Sequence, residues 1–174
     1  MDNALAFKAT CLWFALRDRF SPPDQILREA GLQPGFHVLD YGCGPGSYTL
    51  AAAAAVGPSG KVYAADINPL AGQHVQRVAL SKGLRNVETI LTDCATGLDA
   101  ASVDVVLLYD TYHDLADPAS VLAELHRVLK PGATLSFSDH HLTDDEIRTG
   151  VAGSGLFRLS GKGTKTYSFT KEGQ

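Results

Sequence analysis

The sequence predicts an α/β fold: a doubly wound, mostly parallel seven-stranded sheet with an antiparallel C-terminal strand and helices on both faces. Three observations carry that expectation. Five apolar, β-branched runs recur along the 174 residues, segments with helix start and stop signals separate them, and the last stretch alternates apolar and polar residues around a glycine turn. Strands alternating with helices imply right-handed crossovers, and hence a parallel sheet covered on both sides.

In chain order, "NALAFKATCLWFALRDRF" is apolar at helical spacing and is followed by the breaker "SPPD" and a short helix in "QILREAGL". Residues 1–33 therefore form an N-terminal helical segment, read either as packing on one edge of the core or as a lid over a ligand. Residues 34–174 form the core of what the length predicts to be one domain, 1–174. The strand runs are "HVLDYG" (37–42), "KVYAAD" (61–66), "VETILTD" (87–93), "VDVVLLYD" (103–110) and "ATLSFSD" (133–139). Ser47 is the expected N-cap of the alanine-rich helix after the first strand. Asn68-Pro69 and Asp117-Pro118 open two further helices, with stops at Gly83 and at Pro131-Gly132. "TDDE" at 143–146 has capping-box form, with a weaker continuation through "GVAGSG". "LFRLSGKGTKTYSFTK" reads as a hairpin that ends the sheet.

Composition narrows the class. Fifteen Lys and Arg against nineteen Asp and Glu give a net charge of −4 with no basic cluster, which disfavours nucleic acid. No run of eighteen apolar residues and no export leader is read, so the expectation is a cytoplasmic protein without a membrane partner. Three cysteines at wide spacing give neither a disulfide framework nor a zinc site.

In open parallel sheets the ligand lies beyond the carboxyl ends of the strands. There the chain carries Gly42-Cys43-Gly44-Pro45-Gly46 after the first strand and Asp66 after the second, with Asp93-Cys94 and Asp110 closing the third and fourth. Glycines let backbone N–H groups approach a ligand, and the acid about twenty residues on suits a ribose. The dinucleotide pattern G-x-G-x-x-G is not met: positions 42, 44 and 47 give Gly, Gly, Ser, with Gly46 out of phase.

At these residues the chain resembles the class I, seven-strand S-adenosylmethionine-dependent methyltransferases. "VLDYGCGPGSYT" looks like their first motif, "YAADINP" their acidic second strand and "TDC" their third. The stretch from "VDVVLLYDTYHD" through "LHRVLKPGATLSFSD" is similar to the quinone C-methylating and type 11 small-molecule enzymes. The resemblance spans about residues 34–140. It implies S-adenosyl-L-methionine as cofactor, with S-adenosyl-L-homocysteine as product. Gly42, Gly44 and Gly46 would border its methionine and ribose parts, and Asp40 its amino group. Asp66, followed by Ile67, would take the ribose hydroxyls, and Asp93 with the Cys94 backbone would take the adenine. Tyr41 departs from the commoner aliphatic residue at its position.

Methyl transfer from a sulfonium needs alignment, exclusion of water and, for a protic acceptor, a base. Asp110 and His113 follow the fourth strand, and Asp139, His140 and His141 end the fifth. His113 is the first choice as base, with Asp110, His140 and His141 as further catalytic candidates. Such a set is chemically competent to hold a divalent ion, but no metal is assigned. "YDTYHD" lacks the Asn- or Asp-Pro-Pro-aromatic signature of amino methylation, so the expected acceptor is a small molecule. Trp13, Phe14 and Phe20 are expected to wall its pocket, left partly open or completed by a second copy in a homodimer. The alternatives are a non-catalytic S-adenosylmethionine-binding module and a nicotinamide-dependent enzyme.

Overall fold

A computed structural model describes residues 3–172. Its seven strands are β1 (His37–Tyr41), β2 (Lys61–Asp66), β3 (Val87–Leu91), β4 (Val103–Tyr109), β5 (Leu129–Ser138), β6 (Phe157–Lys162) and β7 (Tyr167–Lys171). They form one sheet in the order β3-β2-β1-β4-β5-β7-β6. The first five run parallel, and β7 pairs antiparallel with both β5 and β6.

Six helices accompany them: α1 (Asn3–Phe20), α2 (Asp24–Glu29), α3 (Ser47–Val56), α4 (Pro69–Ser81), α5 (Pro118–Val128) and α6 (Asp144–Ala152), with a 3-10 turn at Tyr112–Asp114. Because β1 to β3 advance one way across the sheet and β4 to β5 the other, right-handed crossovers put α3 and α4 on one face and α5 on the other. The cores follow that division. Val38, Val62, Val105 and Leu107 meet α2 and α3, while Leu39, Val106 and Leu108 meet α5 and α6. Alanines 52 and 53 of α3 are fully buried, so the alanine run lets that helix approach the sheet closely. On α5, Val121, Leu122, Leu125 and Val128 are buried at helical spacing, each contributing about 1.5–3 kcal/mol of transfer free energy.

Three of the helix starts read from sequence hold. The Asn68 side chain accepts from the Leu70 N–H at 3.0 Å, Asp117 from the Ser120 N–H at 3.1 Å, and Thr143 with Glu146 closes a reciprocal capping box. Three boundaries differ. Helix α3 is capped by Gly46 at φ +86°, not by Ser47, whose hydroxyl instead donates to Asp18 of α1. Strand β5 begins at Leu129 rather than at 133, with Pro131-Gly132 lying inside it. There the register against β4 jumps between Val103 and Val105, and at such an irregularity a missing N–H leaves no ladder bond broken. Helix α6 stops at Ala152, before the rest of "GVAGSG".

Gly46 holds the glycine turn against α4. A Cβ there would lie 2.6 Å from Val75 Cγ2, on a backbone already in the left-handed region. Gly46→Ala should therefore lower stability by about 1–3 kcal/mol in urea unfolding. Gly46→Ala with Val75→Ala should be more stable than the two single losses added, and strict additivity would show that no such contact exists.

Candidate functional site

The carboxyl ends of β1, β2 and β4 converge where the strand order reverses. The Asp66 carboxylate ties two of their loops together, accepting the Gly44 N–H at 2.8 Å through Oδ2 and the Asn68 N–H at 2.7 Å through Oδ1. The Gly42 and Cys43 N–H groups both donate to the Ala65 carbonyl, at 2.8 and 3.0 Å. The three glycines do different work. A side chain at Gly42, φ +80°, would overlap Thr111, and Gly46 is required by Val75, whereas nothing lies within 4 Å of where a Cβ of Gly44 would stand.

Beneath this turn Asp40 is buried and accepts from the Thr49 hydroxyl at 2.5 Å. Burial pushes its carboxyl up to about 7; the Thr49 hydrogen bond opposes the shift and the charge of Asp66 adds to it.

A cleft of about 280 Å3 opens between the loops, its walls including Tyr41, Asp66, Ile67, Asp93, Asp110 and Leu115. Ile67, 71% exposed, and Leu115 are apolar members of a wall that also carries carboxylates. Of the positions read from sequence, Gly42, Asp66, Ile67, Asp93 and Asp110 line this cleft. Gly44, Gly46, Asp40 and Cys94 do not line it, and the Cys94 N–H donates to Thr92 Oγ1 at 3.1 Å.

A second cavity, about 340 Å3, adjoins it, walled by Trp13, Ile26, Tyr48, Asp110, His140 and Lys165. Asp110 is common to both. Of the three aromatic residues singled out in the N-terminal segment, Trp13 lines this cavity; Phe14 packs edge-on against Trp13 at 5.2 Å, and Phe20 is exposed. Helix α1 is held by the Ser47–Asp18 hydrogen bond and by Phe7 packing edge-on to His74 of α4. The cavity's far wall is fixed by Glu29, which accepts the backbone N–H groups of Thr164, Lys165 and Thr166 and the Thr166 hydroxyl. A groove of about 390 Å3 between α1 and α4 is lined by no acid among the described residues.

The candidate catalytic side chains are brought together in one row. Asp139, fully buried at its side chain, accepts His113 Nδ1–H at 2.9 Å and the His141 N–H at 3.1 Å. Asp110 accepts both Nδ1–H and the backbone N–H of His140, at 2.7 and 3.1 Å. The ring of His141 lies between those of His113 and His140, at 4.1 and 3.9 Å. The hydrogen bond to Asp139 holds the His113 pKa above its ordinary value. Burial would raise Asp139, but hydrogen bonds from His113 and His141 carry it below the usual carboxylate range. Asp110 adopts φ +49°, a left-handed conformation that costs a non-glycine residue about 1 kcal/mol or more. With Nδ1 committed to Asp110, His140 has no hydrogen bond at Nε2 among the described residues, and the residue lines the second cavity. Among the described residues no three His, Cys, Asp or Glu side chains converge as metal ligands.

The sheet order, with its reversal at β1 and its antiparallel end, and the acid-lined cleft define a class I methyltransferase fold. A methyltransferase-domain family profile matches residues 32–156. The chain belongs to that family, in its class I, S-adenosylmethionine-dependent form. It is 34% identical over 133 residues to demethylmenaquinone methyltransferase of Geobacillus stearothermophilus, covering 76% of this chain and 53% of that protein. It is 34% identical over 105 residues to the aklanonic acid methyltransferase DauC of Streptomyces sp., covering 60% and 48%. A solved S-adenosylmethionine-dependent methyltransferase from Aquifex aeolicus superposes with a TM-score of 0.76 at 28% identity, over 86% of this chain and 88% of that one. The chain spans about half the length of the curated relatives it matches.

The buried acid makes stability depend on pH. Between the ordinary carboxylate value of 3.8 and about 7 the folded state keeps a proton on Asp40 that the unfolded chain has lost. Stability from this group is therefore complete below pH 4 and lost as pH rises through 7. The raised His113 acts in the same sense, its contribution present below 6.5 and lost through its higher folded value. Wild-type protein should unfold at lower urea at pH 8 than at pH 5, and Asp40→Asn should flatten that difference; an equal slope in both proteins would mean that Asp40 is charged in the fold.

Proposed function

We propose that the protein transfers a methyl group from S-adenosylmethionine to a small, protic and planar acceptor seated in the cavity beside Asp110. The observation that carries this reading is that one carboxylate, Asp110, stands on both the cofactor cleft and the adjoining cavity. The cleft's residues fit the cofactor: Ile67 and Leu115 can enclose a flat base, Asp93 can accept from an exocyclic amine, and Asp66 keeps lone pairs for ribose hydroxyls beyond its two backbone donors. When bound, S-adenosylmethionine supplies an electrophilic methyl on a sulfonium, whose loss leaves a neutral thioether.

The protein's own groups then have three tasks. Trp13, Tyr48 and Ile26 enclose the acceptor and keep water from it. Lys165, whose ammonium donates to the Ser21 hydroxyl at 3.1 Å, lines the cavity and can hold an acidic group of the acceptor. His140 takes the acceptor's proton at Nε2, while Asp110 fixes the Nδ1–H tautomer and stabilises the imidazolium. Two features support His140 over His113 as base: it lines the acceptor cavity, and the His113 Nε2 faces Asp114 at 3.4 Å. His113 and His141 would then hold the row in place with Asp139. The names of the relatives, which speak of a quinone and of an acid, support an acceptor of this kind. The net charge of −4 supports a small molecule over nucleic acid.

The test is a tritiated methyl-transfer screen over phenols, quinols and aromatic acids, with S-adenosylhomocysteine binding followed by calorimetry. His140→Ala should lower kcat about 10²-fold or more while S-adenosylhomocysteine affinity stays near wild type. His113→Ala should cost less in kcat. A His140→Ala enzyme with full kcat would remove the base, and transfer to none of these acceptor classes despite cofactor binding would overturn the acceptor reading.

A further inference from the structure

The two neighbouring cavities differ in charge. The cofactor cleft is lined by Asp66, Asp93, Asp110 and Asp114 and, among the described residues, by no cation, whereas the second cavity sets Arg17 and Lys165 against Asp110 alone. Asp110 is already answered by two N–H groups of His140. Asp18, the ion-pair partner of Arg17, does not line that cavity. Positive charge gathered there, in a chain of net charge −4, is a local arrangement and not a reflection of composition.

Arg17 is fixed in its place from several sides. Its guanidinium carbon lies 4.1 Å from the centre of the Phe14 ring, 5.2 Å from that of Tyr48 and 5.7 Å from that of Trp13, a setting that suits a planar, weakly hydrated cation. Nε and Nη2 donate to Asp18 Oδ1 at 3.0 and 2.8 Å, and Nη2 also donates to the Ser47 hydroxyl at 3.0 Å. Nη1 makes no hydrogen bond among the described residues yet keeps accessible surface, and the second cavity is the one this residue lines. Lys165 Nζ donates to Ser21, which stands one helical turn past Arg17 and donates its N–H to the Arg17 carbonyl at 2.8 Å.

We propose that Arg17 is a specificity-determining residue: its Nη1, with the Lys165 ammonium as second donor, holds a carboxylate of the acceptor, so that the enzyme takes an aromatic acid as its anion and turns away the neutral analogue. The assignment rests on the acceptor reading of the second cavity and narrows it from planar protic molecules at large to anions. The carboxylate is the handle, and the protic group at the Asp110 and His140 side receives the methyl. A positive wall also keeps the cationic methyl donor out of the acceptor's place.

The test pairs hydroxybenzoates and hydroxynaphthoates with their primary amides, which keep ring and hydroxyl but carry no charge. Their Kd is measured by calorimetry with S-adenosylhomocysteine present, beside initial rates of tritiated methyl transfer. Wild-type protein should bind the acids about tenfold or more tightly than the amides, with the gap narrowing as salt rises. Arg17→Gln and, separately, Lys165→Gln should each weaken the acids about tenfold while the amides stay within about twofold. Arg17→Lys, which keeps a charge among the rings, serves if Arg17→Gln fails to fold, and should show a smaller acid preference than wild type. Wild-type protein that binds no acid of the set, or binds the amides as tightly, overturns the proposal, as does an acid preference unchanged in the Arg17 variants. Transfer to the neutral members alone overturns it too and leaves the acceptor reading standing. Acid binding that depends on Arg17, with transfer to no member, would instead strike the acceptor reading, and the specificity role with it.

Discussion

The structure depends on one close approach, that of the loop after β1 to the loop after β4. Thr111 occupies the volume where any side chain at residue 42 would lie. That contact lets two neighbouring parallel strands open into crevices on the ligand side without separating at their ends. It also forces the chain leaving β4 to turn at once, and Asp110 absorbs the turn in a left-handed conformation while its N–H donates to the Ser138 carbonyl at 2.7 Å. The residue that bears the strain is thereby the one aimed at both cavities.

Around that turn the chain gathers carboxylates and satisfies them without lysine or arginine. Asp66 is held by backbone N–H groups, Asp110 and Asp139 by backbone and imidazole N–H groups, and Asp40 by a hydroxyl. Among the described residues no lysine or arginine lines the cleft. A ligand that brings its own positive charge completes such a site, whereas an anionic phosphate would meet repulsion. The glycine turn here therefore works by a different logic from a dinucleotide turn: its amides are spent on protein carbonyl and carboxylate oxygens, and the charge match is made by acids.

The alternation of strands and helices, the caps at Asn68, Asp117 and Thr143, and the closing hairpin were legible because each depends on local spacing or a local hydrogen bond. That Asp66, Asp93 and Asp110 would stand around one cleft was legible because each follows a strand of the parallel sheet, and in this topology crevices open at those ends. What the sequence left hidden required knowing which distant side chains meet. That Gly46 answers to Val75 and Gly42 to Thr111 is a matter of tertiary contact, as is the pairing of His140 with Asp110 and of His113 with Asp139. Leu115, Tyr48 and Lys165 carry no sequence signal, since each reads as an ordinary loop or helix residue. Pro131-Gly132 misled for a physical reason: the same dipeptide that ends a helix also sits well in a strand irregularity.

Glu29 joins α2 to the β6–β7 turn through residues 135 to 137 positions further along the chain. During synthesis the parallel half of the sheet, with its glycine turn and its acids, can therefore assemble while one wall of the second cavity does not yet exist. Contacts of such separation form late because the loop they close is long. The order of events at the ribosome would be the cleft beside Asp66 first and the cavity beside Trp13 last, so a chain truncated before the final hairpin would keep the first and lose a wall of the second.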